Sequence, residues 1–291
     1  MSDATTATTI AAALRLGRLR LTTSATPSPG LDAEVLLRHL LGIDRTALFA
    51  RLRDSIATDA LTAYGALLDE RARGIPVAYL VGVREFMGLP FAVGSGVLVP
   101  RPETELLVEW ALAWLRARPA AHVVDVGTGS GAIALSLAHE IGPAWHGRIV
   151  ATDISSAAIA VAARNRAALG LERQVEIVQG SLLSWLDYPI DLVLANLPYL
   201  RPTQIAENPD LSAEPRLALD GGEDGLELIR ALLADAPRVV AAGGALVLEI
   251  DPDQRNRVVN LALTAFPGAE IGVIRDLAGF DRHVTIQTRA K

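Results

Sequence analysis

Two clusters in the 291-residue chain have residue types and spacings that suit chemistry. The first is Asp125-Val126-Gly127-Thr128-Gly129-Ser130-Gly131, followed by the apolar run AIALSLA. Glycines on alternate residues let a backbone turn tightly and approach a ligand without Cβ clashes. A helix opening behind them offers free N–H groups. The spacing is G-x-G-x-G, not the G-x-G-x-x-G of dinucleotide enzymes, and no Gly-Lys-Ser/Thr of a Walker loop follows. Asp153 stands 22 residues after Gly131, where an acid can accept both hydroxyls of a ribose. The competing readings of the loop are a ligand-free structural turn and a nicotinamide site, and Asp153 weakens both. The second cluster is Asn196-Leu197-Pro198-Tyr199, at the end of the apolar run IDLVLA. An amide or aromatic amine nitrogen is a poor nucleophile because its lone pair is delocalised. Two acceptors gripping its N–H groups, the Asn196 side-chain oxygen and the Leu197 carbonyl, would turn that lone pair toward an electrophile. Pro198 restrains Leu197 to an extended conformation that presents the carbonyl. Tyr199 can stack on the planar group. As nitrogen gains a bond it becomes positive, so the acceptors hold the transition state more strongly than the substrate. Asn and Pro also favour turns, so a strand-ending turn is the competing reading of this cluster.

These clusters need a scaffold that brings both to one edge. From Ala121 onward, strand-like segments alternate with helical ones: 122–126, 148–153, 175–178, 190–196, 245–250, 269–274 and 283–288. Seven such segments, with helices between the first five, predict a doubly wound, mainly parallel Rossmann-like α/β sheet. Right-handed crossovers place the β-to-α loops along one edge, outside the carboxyl ends of the strands, where ligands bind. The first 84 residues read as a small helical bundle. Apolar residues recur at helical spacing at Ile10, Leu14 and Leu21 and again at Leu36, Leu37, Leu40 and Leu41. Asp32 is expected to cap the second helix after TPSPG, and a further helix is expected over 59–73, stopped by Gly74. Alternation of Phe91, Val93, Val97 and Val99 about Gly94–Gly96 predicts a connecting β-hairpin within 85–102. The segment 201–222, with Pro202, Pro209 and Pro215, reads as a long loop that could order over a substrate.

Composition narrows the function classes. The chain has no Cys, so thiolate metal sites, disulfides and cysteine nucleophiles are excluded. Five scattered His without an HExxH pairing give no metal-site signature, and His39, His122, His139, His146 and His283 are read as structural or surface residues. Residues 1–84 carry ten Arg and eight acidic residues (+2), whereas the remainder carries 17 basic and 25 acidic residues (−8). That balance argues against direct nucleic-acid binding. No uninterrupted apolar run is long enough to span a membrane, and the first residues lack a secretory pattern, so a cytoplasmic monomer without membrane contact is expected.

The acid-x-G-x-G-x-G loop paired with Asp153 resembles S-adenosylmethionine-dependent methyltransferases. The whole chain resembles the bacterial protein-(glutamine-N5) methyltransferases of peptide chain release factors, the HemK/PrmC family. The resemblance rests on GIPVAYLVGVREFMGLPFAVGSGVLVPRPETE, VVDVGTGSGAIALSLA, ATDIS, ANLPYL, EPRLALDGGEDGLELI and DLAGFDRHV. It implies methyl transfer from S-adenosylmethionine, leaving S-adenosylhomocysteine, to the Gln of a release-factor GGQ loop. It also implies an N-terminal helical domain (1–84) that docks the release factor, a hairpin linker (85–102) and a methyltransferase domain (103–291). Asp125, Gly127, Thr128, Gly129, Ser130, Gly131, Asp153, Leu182 and Asn196 are the implied donor contacts. Asn196, Leu197, Pro198 and Tyr199 are the implied substrate and catalytic contacts. Asp125 either orients the donor or caps its loop. Three positions depart from the family pattern: Leu197 stands in place of Pro, Leu182 occupies the register of an aromatic residue with Trp185 three residues on, and Asp251 stands where Gly is frequent. Related readings are a ribosomal-protein glutamine methyltransferase, a DNA amino-methyltransferase, and a donor-binding module without catalysis.

Overall fold

The computed structural model describes residues 8–24 and 26–290. It consists of two compact units, one formed by residues up to Gly82 together with Pro209–Ala213, the other by Val83–Asn208 and the chain from Glu214 onward. No helix among the described residues is long and apolar enough to cross a membrane.

The first unit is helical: α1 (Ile10–Thr23), α2 (Pro29–Leu41), α3 (Arg45–Ala50), α4 (Thr58–Ala72) and α5 (Val77–Val81). Thr9 caps α1 by accepting from the Ala12 amide, and Asp44 caps α3 by accepting from the Ala47 amide. The start of α2 differs from the sequence expectation. Pro29 occupies the first turn after Ser28, because its fixed φ already suits a helix and its missing N–H costs nothing there. Asp32 therefore lies inside the first turn, and its carboxylate accepts from Arg71 Nε of α4 at 2.7 Å. Leu21, Leu36, Leu37, Leu48 and Tyr64 form the buried core. The Tyr64 hydroxyl donates to the Ala33 carbonyl at 2.9 Å, and burial raises its pKa. Gly17 leaves room for that hydroxyl, which a Cβ would strike.

The second unit opens with a hairpin of β1 (Val83–Phe86) and β2 (Leu89–Ala92). This corrects the expected position around Gly94–Gly96. The reversal is made by Met87 (φ 51°) and Gly88 (φ 71°), two successive positive-φ residues of the kind that match strand twist in a two-residue hairpin. Gly94–Val97 is a separate turn closed by the Val97 amide on the Gly94 carbonyl. Glu105, which opens α6 (Glu105–Leu115), accepts from the Met87 amide at 2.8 Å and steadies the hairpin turn.

The main sheet contains β3 (His122–Val126), β4 (Arg148–Asp153), β5 (Val175–Gln179), β6 (Ile190–Ala195), β7 (Val240–Glu249), β8 (Glu270–Arg275) and β9 (Asp281–Gln287). Its order is β5-β4-β3-β6-β7-β9-β8. Strands β3 to β7 pair in parallel, and β9 runs antiparallel to both neighbours. The seven expected strands are present. β7 starts five residues earlier than its apolar run, with a register irregularity in its pairing to β6. The crossovers are α7 (Ala132–Ile141), α8 (Ser156–Ala168) and α10 (Glu227–Val239), and α11 (Arg255–Ala265) precedes β8. The helix expected between the third and fourth strands is replaced by turns over 180–189, a connection of ten residues with Gly180 at its start and Pro189 at its end. Alternate strand residues feed two apolar cores. Val123, Leu192, Ala245 and Val247 pack with Leu107 of α6 and Leu135 of α7. Val124, Val193 and Leu246 pack with Leu232 of α10 and Val258 of α11. The strand order reverses between β3 and β6, which makes the carboxyl ends of these two strands the switch point of the sheet. The segment after β6 is not structureless. It contains α9 (Pro202–Glu207) and two short 3-10 turns, and it returns through a bridge between Leu200 and Asp220.

Candidate functional site

The register Val126↔Ala195 aligns the ends of β3 and β6, so the glycine loop and the Asn196 turn emerge side by side. They open into one cavity, whose lining includes Gly127, Thr128, Gly129, Ser130, Asp153, Leu182, Asn196, Leu197 and Pro198. Three residues implicated from sequence, Asp125, Gly131 and Tyr199, are not part of that lining.

The loop is braced from below. The Gly127 and Thr128 amides donate to the Thr152 carbonyl of β4, each at 2.9 Å. Asp125 is wholly buried, and its Oδ2 accepts from Thr128 Oγ1 at 2.5 Å and from the Ala134 amide in the first turn of α7 at 3.2 Å. Of the two roles open to it from sequence, capping the loop is the one its contacts describe. Burial pushes its pKa from 3.8 up to about 7, against the lowering effect of these hydrogen bonds. Gly131 (φ +85°) turns the chain into α7, and a Cβ there would lie 2.8 Å from Leu135 Cδ1. Asp153 points to the loop's rim. Its Oδ2 accepts from the Gly129 amide at 3.0 Å and its Oδ1 from the Ser155 amide at 2.9 Å. Asn165 of α8 ties the outside of the loop by donating to the Ser130 carbonyl at 2.8 Å, while its Oδ1 accepts from the Ala92 amide of β2.

Asn196 and Leu197 face this loop across the cavity. The Leu197 side chain is buried, and its Cδ2 would lie 3.1 Å from a Cβ on Gly127. Asn196 Nδ2 donates to Thr104 Oγ1 at 3.0 Å, and Thr104 Oγ1 donates to Glu249 Oε2 at 2.7 Å. The Tyr199 hydroxyl donates to Glu249 Oε1 at 3.2 Å. The Tyr199 hydroxyl is thus anchored at Glu249, and its ring is half-buried. Its pKa is raised, first by burial and then by the negative charge of Glu249. Its carbonyl accepts from Gln254 Nε2 at 2.8 Å, which fixes the end of the turn. Asp251 caps the short turn 252–254 by accepting from the Asp253 amide, and its other oxygen accepts from Gln204 of α9. A carboxylate at this position therefore has a structural use that Gly would lack. Trp185 lies against Gly180, and its Nε1 donates to the carbonyl of Leu182, which holds a positive φ of 48°.

Sequence reasoning missed Thr104, Glu214, Glu249 and Gln254 as parts of the site. Glu214 is buried, accepts from the Val99 amide at 2.9 Å and pairs with Arg101, which lines the cavity. The available signal for Glu249 was an acid closing an otherwise apolar strand, ALVLEI, at the ligand-facing edge.

Comparison with known proteins supplies the family. Residues 12–82 match the PrmC N-terminal domain, and residues 117–256 match a methyltransferase domain. A release factor glutamine methyltransferase of Moorella thermoacetica is 43% identical over 265 residues, covering 90% of this chain and 93% of the relative. One from Deinococcus radiodurans is 41% identical, covering 91% and 93%. The chain belongs to the release factor glutamine methyltransferase family. Its fold is shared more widely. A methyltransferase from Pyrococcus furiosus superposes with a TM-score of 0.51 at 18% identity, covering 70% of this chain and 90% of that one. The hMettl16 catalytic domain superposes with a TM-score of 0.56 at 13% identity, covering 75% and 81%. In this member of the release factor glutamine methyltransferase family, the buried Leu197 side chain packs beside Gly127.

Proposed function

We propose that the protein transfers a methyl group from S-adenosylmethionine to the side-chain amide nitrogen of the Gln in the GGQ loop of peptide chain release factors. The observation that carries this reading is that the glycine loop, Asp153 and the Asn196-Leu197 turn line one cavity at the switch point of the sheet. The names of the relatives direct the choice of substrate.

The residues fit the donor. The loop offers backbone N–H groups at the start of α7, and Gly127 holds a positive φ of 73° that favours glycine. The Asp153 carboxylate keeps lone pairs for a ribose at the rim, and Val97, Leu98, Ile154 and Leu182 supply apolar wall. When bound, S-adenosylmethionine supplies an electrophilic methyl group on a sulfonium. The chain does the rest. Asn196 Oδ1 and the Leu197 carbonyl accept the two N–H groups of the substrate carboxamide and hold its nitrogen toward the donor. That orientation removes much of the entropic barrier. As the nitrogen gains positive charge, the same oxygens stabilise it more strongly than they bound the neutral amide. Asp125 acts through the loop rather than on the donor, and Tyr199 acts by fixing the turn. The helical unit serves to dock the release factor.

The test is transfer of label from isotopically labelled S-adenosylmethionine to a release factor and to its GGQ Gln→Ala form. Label on the natural factor alone is expected. Label on both forms, or on DNA only, rejects the proposal. The −8 balance of the catalytic half disfavours DNA as substrate.

A further inference from the structure

We infer that Glu249 and Thr104 are positioning residues that set the direction of the Asn196 carboxamide and so keep its oxygen, not its amino group, turned to the substrate. The inference rests on the proposed function for its chemical meaning, but its structural content can be tested separately. A planar carboxamide is nearly symmetric in shape, so its outline does not decide which end faces the cavity. The decision comes from the hydrogen-bond chain behind it. A carboxylate only accepts, and a hydroxyl has one proton to give. Thr104 Oγ1 lies 2.7 Å from Glu249 Oε2 and gives its proton there. Toward Asn196, 3.0 Å away, the same oxygen can then only accept, so Asn196 must present its amino group to Thr104. The Asn196 oxygen is left on the opposite side, as an acceptor.

The Thr104–Glu249 link is buried, and the Asn196–Thr104 link is part-buried at the cavity wall. Thr104 is 4% exposed and Glu249 2% exposed. Thr104 donates to one oxygen of Glu249 and the Tyr199 hydroxyl to the other, so both oxygens of the carboxylate are held. The sheet itself places it. Leu248 pairs with Ala195 and Glu249 with His283, which sets Glu249, the last residue of β7, level with Asn196 just past the end of β6. Reversal of the amide would put two N–H donors against the N–H donors of a substrate carboxamide. Such a reversed site would still bind methyl donor, because the glycine loop and Asp153 are untouched.

The experiment uses the full-length protein and three variants: Thr104→Val, Thr104→Ser and Glu249→Gln. Thr104→Val keeps the side-chain shape and removes the relay. It is expected to lower kcat roughly 100-fold, the scale of one lost transition-state hydrogen bond, with KM for S-adenosylmethionine unchanged. Thr104→Ser keeps the hydroxyl and is expected to restore most of that loss. Glu249→Gln gives one acceptor to two hydroxyl donors, and kcat is expected to fall while calorimetric donor binding persists. A role in stability alone would instead lower the thermal midpoint without this split between kcat and KM. Independently of turnover, nuclear Overhauser contacts between the Asn196 amino protons and the Thr104 side chain are expected in the wild type and lost or shifted in Glu249→Gln. Absence of those contacts in the wild type overturns the inference, as does a Thr104→Val or Glu249→Gln enzyme as fast as wild type. If wild type shows the contacts but labels no release factor, the functional reading fails and the positioning holds.

Discussion

Asn196 has two faces, and a substitution separates what each does. Its amino group is tied to Thr104, while its oxygen is the acceptor assigned to the substrate amide. Asn196→Ala is expected to retain binding of S-adenosylmethionine by calorimetry and to lose about 3 kcal/mol of transition-state stabilisation, or 10²–10³ in kcat. A fully active variant would contradict the mechanism. Asp125 gives a pH signature. Its folded pKa is raised from 3.8 to about 7, so over that window the native protein holds a proton that the unfolded chain has released. Stability from neutral Asp125 is therefore full below about pH 4 and is lost as pH rises toward 7. Denaturant unfolding from about pH 4 to 7 is expected to show a shallower decline for Asp125→Asn, which cannot ionise, than for wild type. Equal slopes would remove Asp125 as the source. The glycine loop, Asp153 and Asn196 were legible in the sequence because each meets a backbone or strand-end requirement visible in spacing. The directions of Asp125 and Tyr199 were not. A strand-end carboxylate reads the same whether it faces a ligand or the helix behind the loop, and a tyrosine reads the same whether its hydroxyl meets solvent or a buried glutamate.

At the scale of elements, alternation of strands and helices carried the sheet correctly because parallel strands buried on both faces are continuous apolar runs. The hairpin was harder. Phe91, Val93, Val97 and Val99 keep alternating past the end of β2, so periodicity alone does not show where pairing stops. The turn is made by Met87 and Gly88, and a methionine at positive φ is not a residue that turn chemistry would nominate. The helix start at Pro29 was missed for a related reason: an acid inside the first turn can pair across the bundle as readily as cap. The element on which the site most depends is the entry into α7. Gly131 sits at φ +85° with Leu135 Cδ1 in the space a Cβ would take. Gly131→Ala is expected to cost about 1–3 kcal/mol of stability from backbone strain, with weaker donor binding. Thermal unfolding with and without S-adenosylmethionine checks both. A variant with wild-type midpoint and wild-type ligand-induced shift would show that the loop tolerates another conformation.

At the scale of the whole molecule, the shift from a slightly basic, all-helical opening to an acidic α/β remainder announced two units. It could not announce that Pro209–Ala213 would group with the first, because that membership depends on contacts between residues far apart in the chain. Arg71 shows one such contact, pairing with Asp32 at 2.7 Å and with Asp210 at 3.5 Å. The cavity is lined from the second unit alone, whereas the first unit has its own apolar core around Tyr64. A lesion in that core therefore discriminates docking from chemistry. Tyr64→Ala removes a side chain that is 1% exposed and should destabilise the helical unit by about 3–5 kcal/mol. If this unit docks the release factor, the variant should bind S-adenosylmethionine as wild type does, with KM for the intact factor raised and label still directed to the GGQ Gln at high factor concentration. Unchanged kcat/KM in a variant whose helical unit is shown by hydrogen exchange to be open would remove the docking role from this unit and assign recognition of the release factor to the α/β unit.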